Sequence, residues 1–169
     1  MSRLGLQMQN NVVSNIASND PVLFNETLVN SDPKVTYNSV NGMITFVNEG
    51  QYYVSWFVVT QTALGVPGAD FSIVTNETTP KYYTAGSGFK YGEIFGSALL
   101  NVTSGFQFSL RNSSGAAVSL SATVQVNAGI SILNAGAVVA SEGFSATTSA
   151  LNVSSGRQLT GWSTAAPYF

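Results

Sequence analysis

The side chains able to do chemistry in this chain are carboxylates, hydroxyls and a few amines, because the sequence contains no histidine and no cysteine. That removes imidazole bases, thiol nucleophiles, disulfides and the common zinc ligand sets. What remains is carboxylate chemistry: an acid pair flanking a glycosidic bond, or an oxygen cage for a hard cation. Asp20, Glu26, Asp32, Glu49, Asp70, Glu77, Glu93 and Glu142 occur singly, with no Asp-x-Asp-x-Asp calcium loop among them. Folding would have to assemble a glycosidase pair, and no spacing nominates one. There is no Gly-x-Ser-x-Gly elbow. Gly86-Ser87-Gly88-Phe89-Lys90-Tyr91-Gly92 misses the dinucleotide fingerprint by one residue and reads as a loop. Sequons at Asn25, Asn76, Asn101, Asn112 and Asn152 are what a chain rich in Asn, Ser and Thr produces by chance. The expectation is therefore a protein that is not an enzyme, with no catalytic residue, no cofactor and no metal.

Composition narrows the remaining classes. Charged residues make up 8% of the 169 positions, six basic against eight acidic for a net −2, where a typical domain carries about 25%. Scattered basic residues do not make a nucleic-acid surface. No run approaches the 18 or so apolar residues of a bilayer-spanning helix, so no membrane insertion is expected. Met1 to Gln9 has one positive charge and no apolar run behind it, which does not read as a secretory leader. A protein working outside the cell would then leave by another route, for instance release on lysis. Asn, Ser, Thr, Gln and Gly replace the missing charge, so mean hydropathy is only +0.19. Little like-charge repulsion keeps copies apart, and self-association is the expected consequence.

The elements that would position any site are strands. Val118, Leu120, Ala122, Val124, Val126, Ala128, Ile130 and Ile132 alternate with small polar residues, the period of one half-buried strand or two collinear ones. Phe106, Phe108 and Leu110 alternate likewise, before an Asn112-Ser113-Ser114-Gly115 turn. Asn41-Gly42 between Val35-Thr36-Tyr37 and Met43-Ile44-Thr45-Phe46 signals a two-residue hairpin. Phe71 to Val74 and Ile94 to Val102 read as further strands. No segment has sustained helical spacing, so the fold class is all-β, a sandwich or barrel.

One strand departs from this pattern. Tyr52, Val54, Trp56 and Val58 line one face, and Tyr53, Ser55, Phe57 and Val59 the other. A sandwich core covers a single face, so the second needs cover from elsewhere in the chain or from another copy. Burying three large side chains there is worth on the order of 5 kcal/mol per subunit. The chain also changes character near Ala135, becoming rich in Ser, Thr, Ala and Gly yet ending in apolar and aromatic residues. Within that tail Leu151-Asn152-Val153-Ser154-Ser155-Gly156-Arg157-Gln158 echoes Leu100-Asn101-Val102-Thr103-Ser104-Gly105-Phe106-Gln107. The echo is either a reused turn signature or a strand mimic able to dock on a sheet edge.

At Gly50-Gln51-Tyr52-Tyr53-Val54-Ser55-Trp56 the chain resembles the C-terminal heads of bacterial collagen-like proteins, including exosporium glycoproteins of Gram-positive spores. Val22-Leu23-Phe24-Asn25, Val35-Thr36-Tyr37-Asn38, Phe106 to Gly115 and the strand through Val126 and Ile132 extend the resemblance over about Leu4 to Leu133. It implies a jelly-roll β-sandwich, like tumour necrosis factor and the complement globular heads, that forms a homotrimer without enzymatic activity. By the same resemblance, Tyr53, Phe57 and Val59 would pack near a threefold axis.

Two departures stand out: no Gly-X-Y stalk precedes the head, and the chain runs past Leu133 to Phe169. The domain plan is then an N-terminal arm over 1–17, a head over 18–134 and a C-terminal extension over 135–169. An alternating arm (Leu4, Leu6, Met8) and an apolar tail (Val138, Val139, Leu151, Val153) would make longitudinal contacts, stacking trimers head to tail into an open fibre. The expected setting is extracellular or the spore surface, with an anchoring protein or tip adhesin as a further partner. The alternative is a receptor- or glycan-binding tip of a spore or phage fibre, using aromatics such as Tyr82, Tyr83, Tyr91 and Trp162.

Overall fold

The computed structural model describes residues 5–63, 68–89 and 91–135. The chain divides into two units, Met1–Asn134 and Ala135–Phe169, and every described strand belongs to the first. These strands are β1 (Gly5–Asn10), β2 (Asn15–Ile16), β3 (Glu26–Asn30), β4 (Val35–Tyr37), β5 (Ile44–Phe46), β6 (Gly50–Ala63), β7 (Ala69–Thr75), β8 (Tyr82–Ser87), β9 (Gly92–Val102), β10 (Gln107–Asn112), β11 (Val118–Leu120) and β12 (Ala128–Asn134). No helix occurs among the described residues. All pairings are antiparallel and close two sheets. The seven-stranded sheet is built around β6, with β9 on one side, β11 and β12 end to end on the other, then β2 and β1, and β3 outermost. The second sheet runs β4-β5-β10-β7-β8. This is a jelly-roll sandwich.

Alternation places the core. Tyr52, Val54, Trp56 and Val58 of β6 point between the sheets beside Ile94, Ala98 and Leu100 of β9 and Ile130 and Ile132 of β12, all buried. From the five-stranded sheet Ile44, Phe46, Phe71, Ile73, Phe108 and Leu110 meet them. Phe46 is the hub of an aromatic cluster, 4.5 Å from the ring of Tyr52 and 5.8 Å from that of Phe108. The indole N–H of Trp56 is buried without a hydrogen-bond partner, the one such side-chain atom among the described residues.

Three expectations change here. Residues 5–16 are no arm ahead of the head, because β1 lies between β12 and β3 and β2 pairs with β11. The run from Val118 to Ile132 is two collinear strands. Val59 joins them: its carbonyl accepts from the Ser121 N–H and its own N–H donates to the Asn127 carbonyl, each at 2.8 Å, so residues 122–126 loop out. The hairpin at Asn41-Gly42 is real but wider than two residues. The Asn38 N–H donates to the Met43 carbonyl and the Asn38 side chain caps the Val40 N–H, leaving a four-residue loop over 39–42. Gly42 takes the left-handed φ of 71° that this loop requires.

Polar groups inside the sandwich fasten its chain crossings. Asn112, fully buried, donates its amide to the carbonyls of Ile16, Ala17 and Ala116 and accepts the Ser114 N–H. The Asn10 amide donates to the Asn127 side-chain oxygen at 2.7 Å, and Asn127 donates on to the Val12 and Ser121 carbonyls. These bonds satisfy buried carbonyls outside the strand ladders.

Candidate assembly face

Because β6 pairs with β12 on one side and β9 on the other, its outward residues and those of its neighbours stand in cross-strand rows. Leu133, Tyr53 and Leu99 form one row. Ser131, Ser55 and Ser97 form the next, continued on β1 by Gln7. Gly129, Phe57 and Phe95 form a third, continued by Gln9. Val59 opposite Glu93 closes the series at the rim. The face thus alternates apolar, hydroxyl and apolar bands.

Phe57 packs on its neighbours in a specific way. Its ring lies over Gly129, where even a methyl group would collide with it, and its centroid is 6.2 Å from that of Phe95. Water still reaches the cluster: Phe95 is 67% exposed, Leu99 58% and Tyr53 43%. Together with Gln7, Gln9 and Leu28 these rings bound a shallow concavity of about 510 Å³. None of the hydroxyls of Ser55, Ser97 and Ser131 has a hydrogen-bond partner within the described residues. A contiguous apolar face of this kind, with unused donors between its rings, is characteristic of an interaction surface.

Of the residues expected near a threefold axis, Tyr53, Phe57 and Val59 all stand on this face. Phe95, Leu99 and Leu133 share it and escaped the sequence reading. The signal that marked β6, apolar residues at both parities, is present in β9 too, where Ile94, Ala98 and Leu100 face inward and Phe95 and Leu99 outward. The longitudinal assignment of Leu6 and Met8 is corrected: both are core residues, 2% and 1% exposed, on a strand paired on both sides, by β12 and β3. Leu4, Val138, Val139, Leu151 and Val153 lie outside the described residues.

Carboxylates are dispersed across the molecule. Asp32, buried, accepts the Lys34 N–H, Glu26 accepts from the Gln9 amide, and Glu77 accepts from the Thr75 hydroxyl and pairs with Lys81 at 3.6 Å. No group of three or more potential metal ligands occurs among the described residues. Two phenols are perturbed. Burial pushes Tyr37 above its ordinary value, partly offset because the Phe24 N–H donates to its oxygen. Burial and then the Asp32 carboxylate push Tyr52 the same way, against a hydrogen bond with Asn134.

No family profile and no curated protein matches the chain. Solved structures do. The globular domain of zebrafish complement 1qA superposes with a TM-score of 0.61 at 15% identity, covering 79% of this chain and 98% of that one. Murine APRIL matches at 0.60 and 9% identity, covering 79% and 99%. The Eiger TNF of S. frugiperda matches at 0.64 and 10% identity, covering 84% and 99%. The chain therefore has the jelly-roll fold of the tumour-necrosis-factor and complement globular heads.

Proposed function

We propose that this chain is a non-enzymatic, self-assembling structural protein: the homotrimeric jelly-roll subunit of a bacterial extracellular or spore-surface fibre, such as an exosporium appendage, stacked head to tail. The observation that carries the trimer is the outward face of the seven-stranded sheet, where Phe95, Tyr53 and Leu99 stand exposed beside half-buried Phe57 on a chain with too little charge to keep copies apart. The resemblance of Gly50 to Trp56 to the exosporium heads supports the cellular setting. The fibre reading is supported by the extension after Asn134, which carries Val138, Val139, Leu151 and Val153. Negative-stain electron microscopy of the purified protein, read beside its mass by light scattering, tests both levels. Fibres of regular repeat are expected, and a monomeric mass at micromolar concentration would refute the trimer.

A receptor- or glycan-binding tip is the second reading, favoured by the exposure of Tyr82 at 60% and Tyr91 at 66%. These rings do not share a platform. Tyr82 opens β8 beside Val74, whereas Tyr91 comes after the strand's far end at Ser87, itself five residues or roughly 17 Å from Tyr82. Tyr83 packs against the core, and Trp162 lies outside the described residues. Selective binding on a glycan array, lost in Tyr82→Ala or Tyr91→Ala, would move the assignment to the tip.

A further inference from the structure

The two ends of the sandwich differ. β1 begins at Gly5 opposite Leu133, and β12 runs out at Asn134 opposite Tyr52, so Gly5 and Asn134 lie at one end. The other end, where Asn10 meets Ala128, carries a groove of about 610 Å³. Ile16 and Phe24, both buried, form its floor. Val12, Leu23 and Val40 form its walls, 53%, 43% and 86% exposed, and Asp20 is its one charged lining residue. The groove is a built feature. The Asn10–Asn127 pair fixes the Val12 carbonyl, and the Phe24 N–H donates to the Tyr37 hydroxyl, which holds the floor in place.

Apolar walls this exposed call for cover, and the chain supplies a segment of matching chemistry. Residues 136–169 carry Val138, Val139, Leu151, Val153, Trp162 and Phe169, with Glu142 and Arg157 as their only charges. Arg157 is complementary to the lone Asp20. In a head-to-tail stack the end that bears Asn134 faces the groove end of the next copy. Fully extended, the segment reaches about 110 Å, against about 46 Å for the 14 residues of β6.

We propose that the groove walled by Val12, Leu23 and Val40 receives residues 136–169 of the neighbouring copy. This rests on the head-to-tail reading above and names the surface that accepts the tail.

The chain has no cysteine, so disulfide trapping reports the contact directly. Full-length Val40→Cys protein is mixed under mild oxidation with full-length Ser141→Cys, Ala150→Cys or Ala165→Cys protein, and mixed dimers are counted on non-reducing gels. Docking raises the local thiol concentration, so at least one pair should cross-link about tenfold more than the same tail variants do with Tyr82→Cys, which opens β8 outside the groove. Failure of all three pairs to exceed that control overturns the proposal. Val40 is 86% exposed, so its substitution leaves the fold intact. As a second measurement, Val12→Asp/Val40→Asp should abolish fibres while leaving the trimer mass unchanged; fibres of normal length from it would also overturn the proposal. Fibres without cross-links keep the head-to-tail reading and reject the groove. Cross-links without fibres keep the groove and reject the fibre.

Discussion

Replacing Phe95 by serine tests the assembly face with the least disturbance to the subunit. Its side chain points away from the core and is 67% exposed, so the isolated head loses only its ring contact with Phe57. A buried phenylalanine hides roughly 200 Å², so about 130 Å² of this ring is still open to water. At about 25 cal/mol per Å², covering that area is worth near 3 kcal/mol per copy, or ~10 kcal/mol for three. Tenfold per 1.4 kcal/mol makes that about seven decades in the three-body association constant. The concentration of half-dissociation moves as its square root, by about three decades. Association recovers only part of transferred area, so the expected shift is one to three decades. Sedimentation equilibrium over a dilution series measures it, with far-UV circular dichroism confirming an intact sandwich. Tyr82→Ser, an equally exposed aromatic on the other sheet, should leave dissociation unmoved. An unchanged midpoint for Phe95→Ser, or an equal shift for Tyr82→Ser, refutes the assignment of the face.

Three further predictions concern the head itself. Asn112→Ala strands the carbonyls of Ile16, Ala17 and Ala116 in a fully buried site and should cost about 3 kcal/mol in chemical denaturation, whereas exposed Asn76→Ala should stay within about 0.5 kcal/mol; equal costs would show that the Asn112 bonds do not anchor the chain. Tyr37 and Tyr52 hold their protons to higher pH folded than unfolded, so stability should be level up to about pH 10 and fall above it as the unfolded chain alone loses protons. Tyr37→Phe should make that fall shallower, and an alkaline limb identical to the parent's would exclude Tyr37 as a cause. With an exposed Lys81–Glu77 pair as the one ion pair among the described residues, melting between about 0.05 and 1 M sodium chloride should show no loss of stability; a drop of several degrees would reveal ionic contacts that matter.

Sequence pattern carried the fold where its signal is local and failed where it is not. The doubly apolar strand from Tyr52 to Val59 was readable because period two is written along one segment. The same period runs through Leu4, Leu6 and Met8, yet they read as an arm. What makes Leu6 and Met8 core is their pairing opposite Ile132 and Ile130, more than a hundred residues away, and no local pattern records a partner at that distance. Asn112 announced a turn and concealed an anchor, since two of its three carbonyl acceptors, Ile16 and Ala17, lie 96 and 95 residues earlier in the chain. The loop over 122–126 was hidden for the opposite reason. Ala122, Val124 and Val126 keep the alternation while the backbone leaves the sheet, because Val59 bonds both Ser121 and Asn127 and needs nothing between them. On the assembly face, Tyr53 and Phe57 were legible and Phe95 and Leu99 were not, although the same test of both parities applied to β9 would have found them.

The order of the rows on that face bears on specificity. Oppositely charged patches usually suppress wrong pairings, and this chain has few charges to arrange, with Glu93 at the rim and none in the three rows of β12, β6 and β9. The bands substitute for them. In the proposed trimer, copies aligned at the same height bring the hydroxyl bands of Ser131, Ser55 and Ser97 together, where each hydroxyl can donate and accept. A slip of one repeat, two residues or about 7 Å along a strand, sets serines against the Tyr53 and Phe57 rows and leaves buried hydroxyls unpaired, at about 1–3 kcal/mol each. Three such groups per copy outweigh the near 3 kcal/mol that any one ring contributes, so the apolar rows drive association while the serine row selects its register. Variants of the two kinds of row should therefore behave differently. Ser55→Val/Ser97→Val should still associate, and native mass spectrometry should find more than one assembly mass where the parent gives one; a single trimeric mass from that variant would place register selection elsewhere on the face.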